Sequence, residues 1–211
     1  MCGRYLYNVD EKDLKNILET IERTNLKQSI SAYPVGSFVG GEIFPGSSVP
    51  VITAHETRFM IWGYPSLTEE RRPHINARSE TAAVKRTFSG AMTARRCLIP
   101  ASSYYEWKAL GGKKKKEKYE FRLPDSGVMY MAGIHSLDYR FAILTREATP
   151  PITEIHNRMP VIIPESLTKE WLGGSNDALQ KAITELIFTP IDVPALPTSH
   201  DNEQPTQMSL F

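Results

Sequence analysis

The sequence opens MCGRY, which places a cysteine directly after the first methionine. With Met1 removed, Cys2 carries an α-amine and a thiol on neighbouring carbons, a pair that no internal cysteine has. Methionine removal requires a small second residue, and cysteine is small enough. An α-amine titrates near ~7.7–8, so a useful fraction is neutral at pH 7. A neutral amine attacks an aldehyde to give a Schiff base. The tethered thiol can then add to the imine carbon and close a thiazolidine ring, helped by its very high effective concentration. Two chemistries follow: an aldehyde trap, or a thiol nucleophile that uses the amine as its base. Position alone favours a small buried apolar residue, the usual fate of a free cysteine.

Three further stretches concentrate polar groups. INARSE sets Asn76, Arg78 and Glu80 at alternate positions, and alternate residues of an extended segment point the same way. For Glu80 a structural ion pair in a turn is the favoured reading. ASSYYEWK sets Glu106 among Tyr104, Tyr105 and Trp107, where burial would suit a carboxyl to proton transfer. An outward-facing strand carboxylate fits the local pattern equally well. EIHNRMPVII brings His156, Asn157 and Arg158 together before an apolar strand. Histidine is the natural acid and base near pH 7, although a lone histidine is more often structural.

The elements that must position these residues are legible in outline. Residues 10–24 place Leu14, Ile17, Leu18 and Ile21 at helical spacing, with Asp10 as cap. Residues 31–50, rich in Pro, Gly and Ser, read as loop. VPVITAH and TRFMIWG read as paired strands. SETAAVKRTFSGAMTARR reads as one helix with Gly90 as its weak point. RCLIPASSYYEWK, EKYEFRLP, VMYMAGIHS and YRFAILTRE give four strands, with Lys113 to Lys116 at a hairpin tip. Helices are expected at PESLTKEWLGG, closed by Gly173, and at NDALQKAITELI. The pattern is α+β: one domain over residues 1–193, with a mainly antiparallel, barrel-like or sandwiched β core and peripheral helices. Residues 194–211 read as a flexible tail.

Composition bounds the function classes. Of 211 residues, 41% are hydrophobic and 23% charged, which fits an ordinary soluble domain. No apolar run approaches the ~20 residues of a membrane span, and no secretory signal is present. Cys2 and Cys97 form neither a metal-type spacing nor a disulfide framework, so a reducing, cytoplasmic setting is expected. No metal or organic cofactor is expected. The net charge of +1 neither announces nor excludes nucleic acid. Basic pairs occur at Arg71-Arg72, Lys85-Arg86 and Arg95-Arg96, each readable as a solvated face.

Taken together, MCGRY, INARSET, CLIPASSYYEWK, FAILT and HNRMPVII resemble the SRAP family (SOS response-associated peptidase), whose members process abasic sites in DNA. The resemblance runs from residue 1 to near residue 185 and looks most like the short bacterial form. It implies a thiazolidine between Cys2 and the ring-opened aldehyde of an abasic site in single-stranded DNA, shielding the site during the DNA-damage response. It implies that Asn76 holds the sugar and the N-terminus. Glu106 would position or deprotonate the amine, and His156 would assist ring opening, Schiff-base formation and reversal. Arg4 and Arg78 match phosphate-gripping arginines, Arg158 joins the DNA-binding set, and Trp62 matches a tryptophan near the DNA face. Peptidase, hydrolase and lyase activities, with self-cleavage of Met1, also follow from the resemblance. SAYPVGSFVGGEIFPGSSVPV departs from the family's asparagine-plus-proline loop, and WGYPS is shorter than the usual WGLIPSW. The catalytic four do not depend on those loops.

The chain ends QMSLF, which resembles a bacterial sliding-clamp-binding motif, with Gln207, Leu210 and Phe211 as docking residues. A monomer is expected. Two other readings stand beside the first. MCG also opens class II glutamine amidotransferases, where the thiol attacks glutamine, but that reading leaves HNRMP and YYEWK without a role. A non-enzymatic DNA-binding or clamp adaptor would keep its function without Cys2.

Overall fold

A computed structural model describes residues 2–28, 38–67, 72–110, 116–125 and 127–191. The tail with Gln207, Leu210 and Phe211, the tip 111–115 and Arg71 lie outside the described residues. The strands run β1 (Arg4–Tyr7), β2 (Gly41–Ile43), β3 (Ser48–Thr53), β4 (Thr57–Trp62), β5 (Asn76–Arg78), β6 (Arg96–Ala101), β7 (Ser103–Ala109), β8 (Lys116–Arg122), β9 (Met129–His135), β10 (Arg140–Glu147), β11 (Arg158–Pro160), β12 (Ile162–Ile163) and β13 (Ile187–Ile191). The helices are α1 (Lys12–Gln28), α2 (Ser79–Ala82), α3 (Ser89–Ala94), α4 (Thr168–Leu172) and α5 (Asp177–Gln180). No described helix is long and apolar enough to cross a membrane.

The expected α+β architecture is present, in two sheets. One has the order β13-β8-β7-β1-β2, with every pairing antiparallel. The other has the order β11-β10-β4-β3-β6-β9-β12. A further pairing of β10 with β9 closes β10, β4, β3, β6 and β9 into a ring, the barrel-like core anticipated from sequence. β10 also accepts β5 in parallel and β11 in antiparallel alignment. Residues of both INARSE and HNRMP are thereby fastened to one strand.

Several sequence expectations change. RCLIPASSYYEWK is two strands, because the chain leaves one sheet and enters the other at Ser102. There the Ser102 N–H donates to the Leu6 carbonyl at 2.8 Å, and the Ser102 hydroxyl accepts from the Asn8 N–H at 3.0 Å. The helix read over 79–96 is interrupted before Gly90, where Phe88 inserts between the rings of Tyr64 and His74, at 5.4 and 5.3 Å. Helix α5 stops at Gln180, since Ile183 bridges to Ile162 and residues 187–191 pair with β8. Part of the presumed loop 31–50 is strand β2 and the start of β3. Lys116 pairs with Ala109 across the β7–β8 hairpin, in keeping with a connection at the lysine run.

β1 anchors the segment that carries Cys2. Tyr5 and Tyr7 are fully buried, and the Tyr7 hydroxyl donates to the Leu14 carbonyl of α1 at 2.9 Å. Tyr5 packs on Trp62 at 5.3 Å, and Trp62 stacks on Phe141 at 6.3 Å, which ties β1 to the ring. Burying one such large side chain contributes about 1.5–3 kcal/mol, so this end of the chain is held as firmly as a central strand.

Candidate active site

The site lies where the two sheets meet. Cys2 is fully buried, and its thiol points to the Arg4 carbonyl with a sulfur–oxygen distance of 3.8 Å. Asn76 on β5 donates from Nδ2 to the Cys2 carbonyl at 2.8 Å. That bond spans 74 positions of chain and fixes the backbone beside the reactive pair. Burial, then the nearby Glu106 carboxylate, pushes the Cys2 thiol far up from its ordinary range, so the sulfur rests as a thiol.

Glu106 comes from the other sheet. On β7 the odd-numbered Tyr105 and Trp107 share one face, while Tyr104 and Glu106 share the opposite, inward face. Glu106 is 4% exposed, which excludes the outward-facing alternative. Its Oε2 lies 4.0 Å from His156 Nε2, within ion-pair reach. The backbone N–H of Arg158 donates to His156 Nδ1 at 3.0 Å. Nδ1 also lies 3.2 Å from the Arg158 carbonyl, so the tautomer decides which of the two it bonds, while Nε2 faces Glu106. A buried carboxylate beside a partly exposed imidazole can pass a proton between the sulfur's surroundings and solvent.

Asn76 and Arg78 keep the shared direction expected of a strand, Arg78 being exposed. It lines two surface clefts, of about 530 Å³ with Ser66, His74 and Lys85, and of about 380 Å³ with Thr153 and Asn157. Arg4 is half-exposed on the outer face of its sheet, between the rings of Phe44 and Trp107 at 4.5 and 5.1 Å. It also pairs with Glu42 at 3.2 Å, a carboxylate that Lys118 shares.

Glu80 leaves the strand direction, because α2 begins at Ser79, and it forms the structural ion pair that the sequence favoured. Its two oxygens accept from Arg158 Nη1 and Nη2 at 2.7 and 2.9 Å. Arg158 donates again to the Thr145 carbonyl at 2.6 Å and is 9% exposed. The guanidinium thus holds the His156 segment against β10, and Arg158 also lines the smaller of the two clefts beside Arg78. Trp62 is 1% exposed, with its indole N–H on the Ile75 carbonyl at 2.9 Å, so it positions β5.

Tyr5 escaped the sequence reading, and Tyr104 entered it only as an aromatic neighbour of Glu106. The hydroxyls of Tyr5 and Tyr104 are buried and make no hydrogen bond among the described residues. The two residues stand opposite each other in the β1–β7 register. The signal was available, because Tyr104 precedes Glu106 by two positions and must share its face.

Comparison with known proteins agrees with this architecture. The SRAP family, SOS response associated peptidase, matches residues 1–199. The chain is 30% identical over 193 residues to the abasic site processing protein YobE of Bacillus subtilis (strain 168), covering 83% of this chain and 84% of that one. It is 28% identical over 184 residues to the abasic site processing protein YedK of Escherichia coli (strain K12), covering 82% and 79%. An X-ray structure of a protein from Bacteroides thetaiotaomicron shares the fold with a TM-score of 0.68 at 19% identity, over 90% of this chain and 92% of that one. A phage-related protein from Bordetella bronchiseptica does so with a TM-score of 0.69 at 23% identity, over 90% and 94%. An N-terminal cysteine segment clamped between two sheets, and a family match over nearly the whole chain, have one reading: the protein belongs to the SOS response associated peptidase family.

Proposed function

We propose that the protein captures abasic sites in single-stranded DNA by covalent attachment to Cys2. The observation that carries this reading is the bond from Asn76 to the Cys2 carbonyl, which holds the Cys2 backbone beside a buried carboxylate and an imidazole. The names of the relatives from Bacillus subtilis and Escherichia coli, both abasic site processing proteins, support the substrate.

In this mechanism Met1 is removed and the α-amine of Cys2 attacks C1′ of the ring-opened deoxyribose. A nitrogen–carbon bond forms, and the amine's proton passes by way of Glu106 to the former carbonyl oxygen, giving the carbinolamine. His156 donates a second proton to that oxygen, which leaves as water and yields the protonated imine. The thiol then adds to the imine carbon. The C=N electron pair moves to nitrogen, which is left as a neutral N–H, and the S–H proton is taken up by Glu106, which returns it to His156. The product is DNA plus protein minus one water. Arg78 and Arg4 would hold the flanking phosphates, which position a strand without reading its sequence. An abasic site is already unpaired, so exposing it costs little.

The test uses protein whose mass shows that Cys2 is first, mixed with an oligonucleotide carrying one abasic site. A heat-stable slow band of the stated mass on a denaturing gel is the expected result. Absence of the band overturns the reading, and glutamine-dependent ammonia release would then favour the amidotransferase chemistry. Residues 207–211 are proposed to dock on the sliding clamp. Unchanged clamp affinity after their deletion would remove that proposal.

A further inference from the structure

The capture reaction has two bond-forming steps, and Glu106 and His156 account for the first more fully than the second. Ring closure needs a sulfur that can shed its proton. Yet the Cys2 sulfur sits in a fully buried place beside a carboxylate, where negative charge on sulfur is strongly disfavoured. Something must offset that charge as it develops.

The described residues offer one set of donors. Tyr5 and Tyr104 are both 0% exposed and cross-strand partners, so their side chains leave the same face of the sheet. That face is the one carrying Glu106. Cys2, Tyr5 and Tyr104 belong to one buried cluster, with Trp62 against Tyr5 and Phe121 stacked on Tyr104 at 4.7 Å. The rings are thus fixed from behind, and the hydroxyls are left without a hydrogen bond among the described residues. A buried hydroxyl in that condition costs stability. Burial, and next the proximity of Cys2, holds both phenols well above the ordinary tyrosine range, so both keep their protons and act as donors.

We propose that Tyr5 and Tyr104 form a hydroxyl pair that stabilises the Cys2 sulfur as it gives up its proton, and so accelerates closure of the ring rather than attack by the amine. The proposal rests on the capture reading above. In the step concerned, the sulfur–carbon bond forms and the S–H bond breaks. The proton goes to Glu106, which has already passed on the amine's proton, and the electron pair of the protonated imine goes to nitrogen, leaving a neutral N–H. The tyrosines supply hydrogen bonds only and exchange no proton with the sulfur.

The experiment compares Tyr5→Phe, Tyr104→Phe and Tyr105→Phe, each with Cys2 as first residue, on an abasic oligonucleotide. Borohydride added at intervals traps the open imine, while the closed ring resists it. The wild type and Tyr105→Phe, which alters the opposite face, should give matching time courses. Tyr5→Phe and Tyr104→Phe should form the imine at an unchanged rate and close it about tenfold more slowly, the worth of a hydrogen bond to a charged group. Their borohydride-trapped share should rise accordingly. Both variants keep their rings and lose only a hydroxyl without a partner, so their unfolding midpoints should stay level or rise. Either variant carries the test alone, since the hydroxyls come from different strands. An unchanged trapped share in both, with the wild type still crosslinking, overturns this inference and leaves the capture reading standing. An equal fall in imine formation and closure also overturns it, since that would mark a packing role. A wild type that forms neither imine nor ring removes the capture reading itself.

Discussion

The chain has two cysteines, and what surrounds them differs. Cys2 and Cys97 are both fully buried, and burial pushes both thiols up. Around Cys97 burial is the sole cause. Its strand, β6, faces Gly133 of β9, where an added Cβ would come within 2.4 Å of Ile99 Cδ1 and 3.1 Å of the Cys97 sulfur. Its carbonyl accepts from the Trp171 indole at 2.9 Å. Around Cys2 the Glu106 carboxylate adds to the effect of burial, and the Asn76 amide holds the Cys2 carbonyl. Depth does not separate the two thiols. Their neighbours do, and on the capture reading it is the neighbours that would let Cys2 give up its proton.

The largest effect that could break this contrast is Cys2→Ala, expected to reduce the covalent band to background while Cys97→Ala leaves its rate within about twofold. A denaturing gel reads both, and a rate loss in Cys97→Ala would erase the distinction. Next come Glu106→Gln and His156→Ala, each expected to slow adduct formation by about 10²-fold, the lower range for removal of a general acid or base. Single-turnover time courses measure it, and wild-type rates would take both groups out of the mechanism.

Around Cys97 the same scale of perturbation should appear in stability instead. Gly133→Ala forces β9 against Ile99 and Cys97 and is expected to cost about 1–3 kcal/mol in urea unfolding, with crosslinking by the folded fraction unaltered. The smallest effect concerns Glu80, whose carboxyl Arg158 holds below the ordinary range. A depressed carboxylate contributes stability above its unfolded pKa and loses it as pH falls through the folded one. Glu80 is 44% exposed at the side chain, so the contribution is screened to about 1 kcal/mol or less. Glu80→Gln should therefore lower stability at pH 7 and flatten the acid limb of unfolding. A wild-type acid limb would show that the pair contributes nothing.

The site was more legible in the sequence than the path of the chain around it. Asn76, Glu106 and His156 stood out because polar groups clustered in short stretches, while the alternation that puts Tyr104 on the face of Glu106 went unused. Residue type alone did not show that Arg158 already has the Glu80 carboxylate or that the Trp62 indole already has the Ile75 carbonyl. The helix over 79–96 read well by composition and was cut by a tertiary contact, Phe88 between Tyr64 and His74. The passage at Ser102 between sheets left no local mark, because both halves are good strand sequence and the switch is set by Leu6 and Asn8.

The Asn76 amide that holds the Cys2 carbonyl carries a consequence for how the protein is made. A ribosome releases residues in order, so Cys2 leaves the tunnel long before Asn76, Glu106 and His156 exist. Its segment must wait for partners contributed across most of the chain, and long-range pairing is the slow part of folding. On the capture reading, the proton acceptor Glu106 joins the sulfur only once β7 is in place. A nascent chain stalled before residue 156 therefore lacks the finished candidate centre, which is complete only when the fold is.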